Sequence, residues 1–256
     1  MKKIIILIGL WVLMVNCVMA QGSHKIQYRA DLGLYDEHVL PGAQRLIGHV
    51  AFAQDNVRGY CDSAYLYDKE NYIIAFGDRV KILIGNDVRL YGHRAYYSGN
   101  SKTASIATRV VLENDSAVLY TDSLVYDLNQ DCGYYLTGGK MLSGTDTLTS
   151  VRGRYYTKTD EAFLNDKVLL RTKTYRMNCD ALKYNANSKV AYFISKTHLT
   201  SNENNITTNS GWYDTRKNVS VLVGDVQMFS NSQTMYADSI YYDRNLRFGR
   251  GWNNVV

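Results

Sequence analysis

Seven tyrosines stand in near-constant register along this 256-residue chain: Tyr67, Tyr97, Tyr126, Tyr156, Tyr184, Tyr213 and Tyr242. Their successive intervals are 30, 29, 30, 28, 29 and 29 residues. A period of this length marks a repeat architecture, in which each unit buries its apolar face only by stacking on its neighbours. Each unit reads as two long strands joined by polar turns, such as "DKEN" (68–71), "SGNSK" (98–102), "NANSK" (185–189), "DTRKN" (214–218) and "NSQ" (231–233). These turns are rich in residues that tolerate tight backbone geometry. Seven units of two strands predict about fourteen strands. Long stretches with a 3.6-residue apolar period are absent, and the single proline, Pro41, leaves no visible linker. The expected fold is all-β and single-domain over residues 21–256.

Within a unit, the strand that ends on the tyrosine carries two apolar columns. Seven residues before the tyrosine stand Leu90, Leu119, Thr149, Met177, Ile206 and Met235; two before it stand Ala95, Leu124, Arg154, Leu182, Gly211 and Ile240. Side chains alternate faces along a strand, so an odd and an even offset belong on opposite sides. Both columns are nevertheless largely apolar. A phase slip between them reconciles this: a bulge or bend near the intervening polar position (His93, Asp122, Arg152, Asp180, Asn209, Asp238) turns both ends inward. Glycines in "GDRV" (77–80), "GG" (138–139) and "GDV" (224–226) predict matching bends in the other strand of the unit. A stack of bent strands makes an elongated trough, open at both ends. Its predicted lining is Leu90, Leu119, Leu124, Met177, Leu182, Ile206, Met235 and Ile240, with Tyr97, Tyr126, Tyr184, Tyr213 and Tyr242.

The N-terminus reads as an export signal over residues 1–20. Lys2 and Lys3 precede an apolar run, Ile4 to Val15, and Val18-Met19-Ala20 precedes an expected cut before Gln21. An uncleaved anchor and lipidation at Cys17 are the alternatives; the run is short for a bilayer, and Asn16 is not the small residue expected before a lipidated cysteine. Removing two lysines lowers the formal net charge from +5 to +3, too little for a nucleic-acid footprint. Cys61, Cys132 and Cys179 then remain, an odd number, with Cys61 and Cys179 four units apart; they read as small buried residues, not a disulfide framework. The five histidines lack metal-ligand spacing, and no nucleotide or hydrolase motif occurs. One aspartate per repeat at one depth (Asp122, Asp180, Asp238) marks a bend more readily than a catalytic pair. No catalytic residue, metal or cofactor is expected.

The residues leave two contents open: a packed solenoid core, structural or carbohydrate-binding, or an apolar groove whose Met- and Tyr-rich walls suit a lipid. The phrases "ADSIYYD" (237–243), "TDSLVYD" (121–127) and "CDALKYN" (179–185), with the glycine turns and the period, resemble the OstA/LptA family. The stretch from 26 to 53, "IQYRADLGLYDE…PGAQRLIGHVAF", is similar to that family's first unit, and the resemblance extends over residues 26–256. It implies a β-jellyroll, or taco, of stacked antiparallel strands in the periplasm, possible outer-membrane association, and a non-enzymatic part in lipopolysaccharide transport with acyl chains in the groove. It further implies lipid A phosphates at the rim, for which Arg152, Arg154 and Lys183 are the basic candidates. The expected partners are lipopolysaccharide, and other transport proteins or a second copy paired through strand edges.

Overall fold

The computed structural model describes residues 25–230 and 233–256; the expected export signal and residues 231–232 of the "NSQ" turn lie outside them. The described residues form one antiparallel sheet of twenty-one strands and no helix, each rung pairing with the rungs before and after it in sequence. Five rungs are each split at a bend into two strands (Gln27–Arg29 with Leu32–Tyr35, Cys132–Tyr135 with Gly139–Ser143, Asp146–Ser150 with Arg152–Tyr156, Val190–Phe193 with Thr197–Thr200, Asn204–Thr208 with Ser210–Asp214). The twenty-one strands therefore make sixteen rungs, against the fourteen expected. The excess lies outside the tyrosine-anchored units: a rung before Gln44–Gln54 and one at Phe248–Trp252. At ~4.8 Å per rung the stack is roughly 75 Å long.

The phase slip is present. Along Val88–Ser98, burial falls on Val88, Leu90 and Gly92, then on Ala95 and Tyr97, and the pairing register shifts between Tyr91 and Arg94. Along Val118–Asp127 it falls on Leu119 and Thr121, then Leu124 and Tyr126. Four of the alternate rungs bend differently, whereas Tyr72–Ile84 slips as well, burying Ile73 and Ala75 and then Val80 and Ile82. The four insert two residues with left-handed backbone: Gly48-His49, Thr108-Arg109, Asp166-Lys167 and Gly224-Asp225 all have positive φ. Inserting two residues preserves parity, so these strands keep one face inward without a slip. Each rung thus crosses from one half-sheet to the other over a common spine of bends, and the inner faces of the two half-sheets pack together.

The bends expose a column that the tyrosine register did not reveal. Val50, Val80, Val110, Gly139, Val168, Thr197 and Val226 follow successive bends at intervals of 30, 30, 29, 29, 29 and 29 residues. All of them that carry a β-carbon are fully buried. Its signal was legible as "GHV", "GDRV", "TRV", "DKV" and "GDV". Gly139 departs because the Tyr135 ring fills its place; a β-carbon there would lie 2.4 Å from that ring.

The tyrosine register itself needs correction in two units. In the fourth, Leu148, Ser150, Gly153 and Tyr155 face inward, so Tyr155 is the anchor and Tyr156 lies on the outer face; Thr149, Arg152 and Arg154 point outward with it. With Tyr155 in place, the last six anchors are separated by five consecutive intervals of 29. In the first unit Leu66 is buried and Tyr67 stacks outside on Tyr72, with ring centroids 4.4 Å apart. A neighbouring tyrosine in each case captured the alignment.

Candidate functional site

The interior between the half-sheets runs the length of the molecule. Of the thirteen predicted lining residues, eleven are at most 3% exposed: Leu90, Leu119, Leu124, Met177, Leu182, Ile206, Ile240, Tyr97, Tyr126, Tyr184 and Tyr213. They belong to one apolar cluster, and Met235 and Tyr242 pack against it half-buried. The protein's own side chains fill this interior. Its most open part is at the last rungs, where an opening of about 370 Å³ is lined by Met228, Met235, Tyr242, Glu203 and Arg247. Gly249 and Gly251 pair with Tyr242 and Ile240 there, so the last rung turns no side chain onto the core.

Opposite the spine, the turns of the two half-sheets meet along a seam. Side chains close it, and the repeat tyrosines are its main latches. The Tyr97 hydroxyl donates to Gln54 at 2.7 Å, and that of Tyr184 to the Asp146 carboxylate at 2.8 Å. Tyr155 reaches Asn114 and Asp160, both at 3.0 Å, and Tyr213 lies 2.7 Å from Thr174. Asn204 donates to Tyr242 at 3.4 Å. Tyr126 differs, bonding Thr157 on its own margin at 2.7 Å. Further contacts fill the gaps: Thr215 donates to Asp146 at 2.6 Å, Lys189 to Ser143 at 2.5 Å, and Lys102 pairs with Asp55 at 2.6 Å. The sequence offered Tyr97, Tyr184 and Tyr213 as lining. It did not reveal their partners, because Gln54, Asp146 and Thr174 lie 38 to 43 residues away.

Burial sets the electrostatics of this row. It raises Tyr126 and Tyr213 to about 12 and pushes Tyr97, Tyr155 and Tyr184 higher still, the last two with help from the charges of Asp160 and Asp146. Desolvation also lowers Lys189 from the usual lysine range. Cys61, Cys132 and Cys179 are free and buried, and burial lifts Cys61 to about 12 and Cys179 to about 11, so neither of these two thiols is reactive at neutral pH.

The three basic candidates sit on the outer face, not in the interior. Arg152 is ion-paired with Asp166. Lys183 pairs with Glu161 at 2.6 Å and lies over the rings of Phe163 and Tyr192. Arg154 is exposed and has no carboxylate partner among the described residues. Nor does any group of three His, Cys, Asp or Glu side chains among those residues have the arrangement to hold a metal ion.

A family model described as "OstA-like protein" matches residues 24–180, more than half of the chain. Among solved structures, the chain is similar to LptH, the LptA-homologous periplasmic component of the conserved lipopolysaccharide transport device from Pseudomonas aeruginosa. That similarity is 17% in sequence with a TM-score of 0.37, over 41% of this chain and 77% of that one. No curated protein matches the chain.

Proposed function

The chain belongs to the OstA-like protein family, and from that premise we propose that it is a non-enzymatic periplasmic carrier that holds lipopolysaccharide acyl chains between its half-sheets during transport to the outer membrane. The observation that carries the reading is the continuous apolar row between two half-sheets that only side chains join along the seam. Burying an acyl chain of roughly twelve methylenes is worth about 10 kcal/mol. Each seam hydrogen bond contributes about 1 kcal/mol net and is replaced by water when the seam parts. Exchanging side-chain contacts for acyl contacts is apolar for apolar, so the methylene term outweighs the loss of several latches.

Sugars and phosphates would stay outside in water. Arg152 and Lys183 already have carboxylate partners, so a lipid A phosphate would have to compete with Asp166 or Glu161 for them. Extension of the groove by strand pairing with other transport proteins or a second copy would use the backbone edges at the two ends of the stack. The chain would be a passive conduit, with transport powered elsewhere.

A second reading, a structural or carbohydrate-binding solenoid without lipid, is favoured by the full burial of the interior. Photo-crosslinkers separate the two. Placed at Leu119, Met177 and Met235 in cells, they are expected to capture lipopolysaccharide, while those in the turns at Lys69 and Lys217 capture none. Equal labelling of both sets contradicts the carrier reading.

A further inference from the structure

The outer face carries a second feature, at the fourth unit. An open bay of about 880 Å³ lies beside the broken bend at Leu136–Gly138, within the range of small-ligand sites. Its floor follows from register. Arg154 is paired across the sheet with Tyr134 on one side and Phe163 on the other, so all three project from the same face. Tyr156 projects beside them and meets Phe163 edge-on, with centroids 5.9 Å apart. Three aromatic side chains and one arginine therefore share a single face that is turned to water.

Arg154 differs from its basic neighbours. Arg152 is held by Asp166 and Lys183 by Glu161, so both charges are spent within the protein. The Arg154 guanidinium is exposed and free to take an anion, with five donors in a fork that fits a carboxylate or a phosphate. Rings flanking it offer apolar platforms to the C–H faces of pyranose sugars. Asn165 and Gln130 at the margin can serve sugar hydroxyls with both donors and acceptors. A bare inorganic anion would leave the rings unused, and a neutral sugar would leave the arginine unused.

We infer that this bay is a binding site for an acidic oligosaccharide, one whose pyranose rings stack on Tyr134, Tyr156 and Phe163 while a phosphate or carboxylate pairs with Arg154. The site is separate from the interior and does not require acyl chains there. The acidic sugar has two sources: the phosphorylated saccharide of a lipopolysaccharide, or a carboxylated envelope glycan.

Titration calorimetry on the full chain at low salt tests this with four probes: a delipidated, phosphorylated lipopolysaccharide core oligosaccharide, an oligogalacturonate, maltohexaose and inorganic phosphate. At least one acidic oligosaccharide is expected to bind ten-fold or more tightly than maltohexaose or phosphate, and the one that does identifies the source. Arg154→Gln, at an exposed position, is expected to melt like the parent while losing about ten-fold in acidic-sugar affinity; Tyr134→Ala is expected to lose it with the charge intact. Phosphate binding as tightly as the oligosaccharides reduces the bay to an anion site and overturns the proposal. So does maltohexaose binding as tightly as the acidic sugars, or a folded Arg154→Gln with unchanged affinity.

Discussion

Tyr184→Ala is expected to destabilise the protein by about 3–5 kcal/mol, the cost of deleting a large buried aromatic side chain. Tyr184 is fully buried in the middle of the interior row, and its hydroxyl donates to a buried carboxylate, Asp146, at 2.8 Å. Tyr184→Phe separates the two contributions. The ring stays and the packing with it, but Asp146 keeps only the 2.6 Å bond from Thr215 and the nearby charge of Lys189. The expected loss is about 1–2 kcal/mol. Tyr192→Phe, on the exposed outer face, is the control and is expected to change stability by under about 0.5 kcal/mol. Urea denaturation followed by circular dichroism measures all three. If Tyr184→Phe proves as silent as the control, the hydroxyl does not latch the seam; if Tyr184→Ala does too, the inward register is wrong.

Alkali is expected to unfold this protein cooperatively above about pH 10. Burial raises Tyr126 and Tyr213 from 10.0 to about 12 and raises Tyr97, Tyr155 and Tyr184 further. A tyrosine is neutral below its pKa, so a raised folded pKa means that the fold binds the proton more tightly than the unfolded chain does. The resulting stability is fully present below the unfolded value and is lost as pH climbs from about 10 through the folded pKa. Several buried tyrosines lose it together, and their anions would then stand in an apolar interior. Absorbance at 295 nm should rise in two phases, the second coinciding with loss of the far-ultraviolet sheet signal. One smooth ionisation of all 22 tyrosines with the sheet intact would contradict their burial.

Much of the architecture was legible because it is periodic. The Tyr97 strand shows why: Leu90 and Ala95 cannot share a face without a slip, and the slip lies between Gly92 and Ala95. The fourth unit was misread because Tyr155 and Tyr156 are adjacent and a one-residue offset exchanges inside for outside. That offset placed Thr149 and Arg154 in the interior column, where the structure has Leu148 and Gly153. Bends at Thr108-Arg109 and Asp166-Lys167 were missed because they lack the glycine that such backbone usually requires. The seam was not legible at all. Its hydrogen bonds join turns about 40 residues apart, and no local pattern encodes which turn faces which. The outer bay was equally hidden, since register across three rungs is what brings Tyr134, Arg154 and Phe163 side by side.

The central claim is that the interior accepts acyl chains. Mass spectrometry of lipid extracted from the mature protein, purified without detergent from a lipopolysaccharide-producing envelope, tests it most directly. The carrier reading predicts lipopolysaccharide in near-stoichiometric amount, with the amount reduced several-fold when Leu119 is replaced by a charged residue in a variant that still folds. Protein that emerges free of lipid, and that takes up none when lipopolysaccharide is supplied, would contradict the claim and leave the filled interior as a structural core.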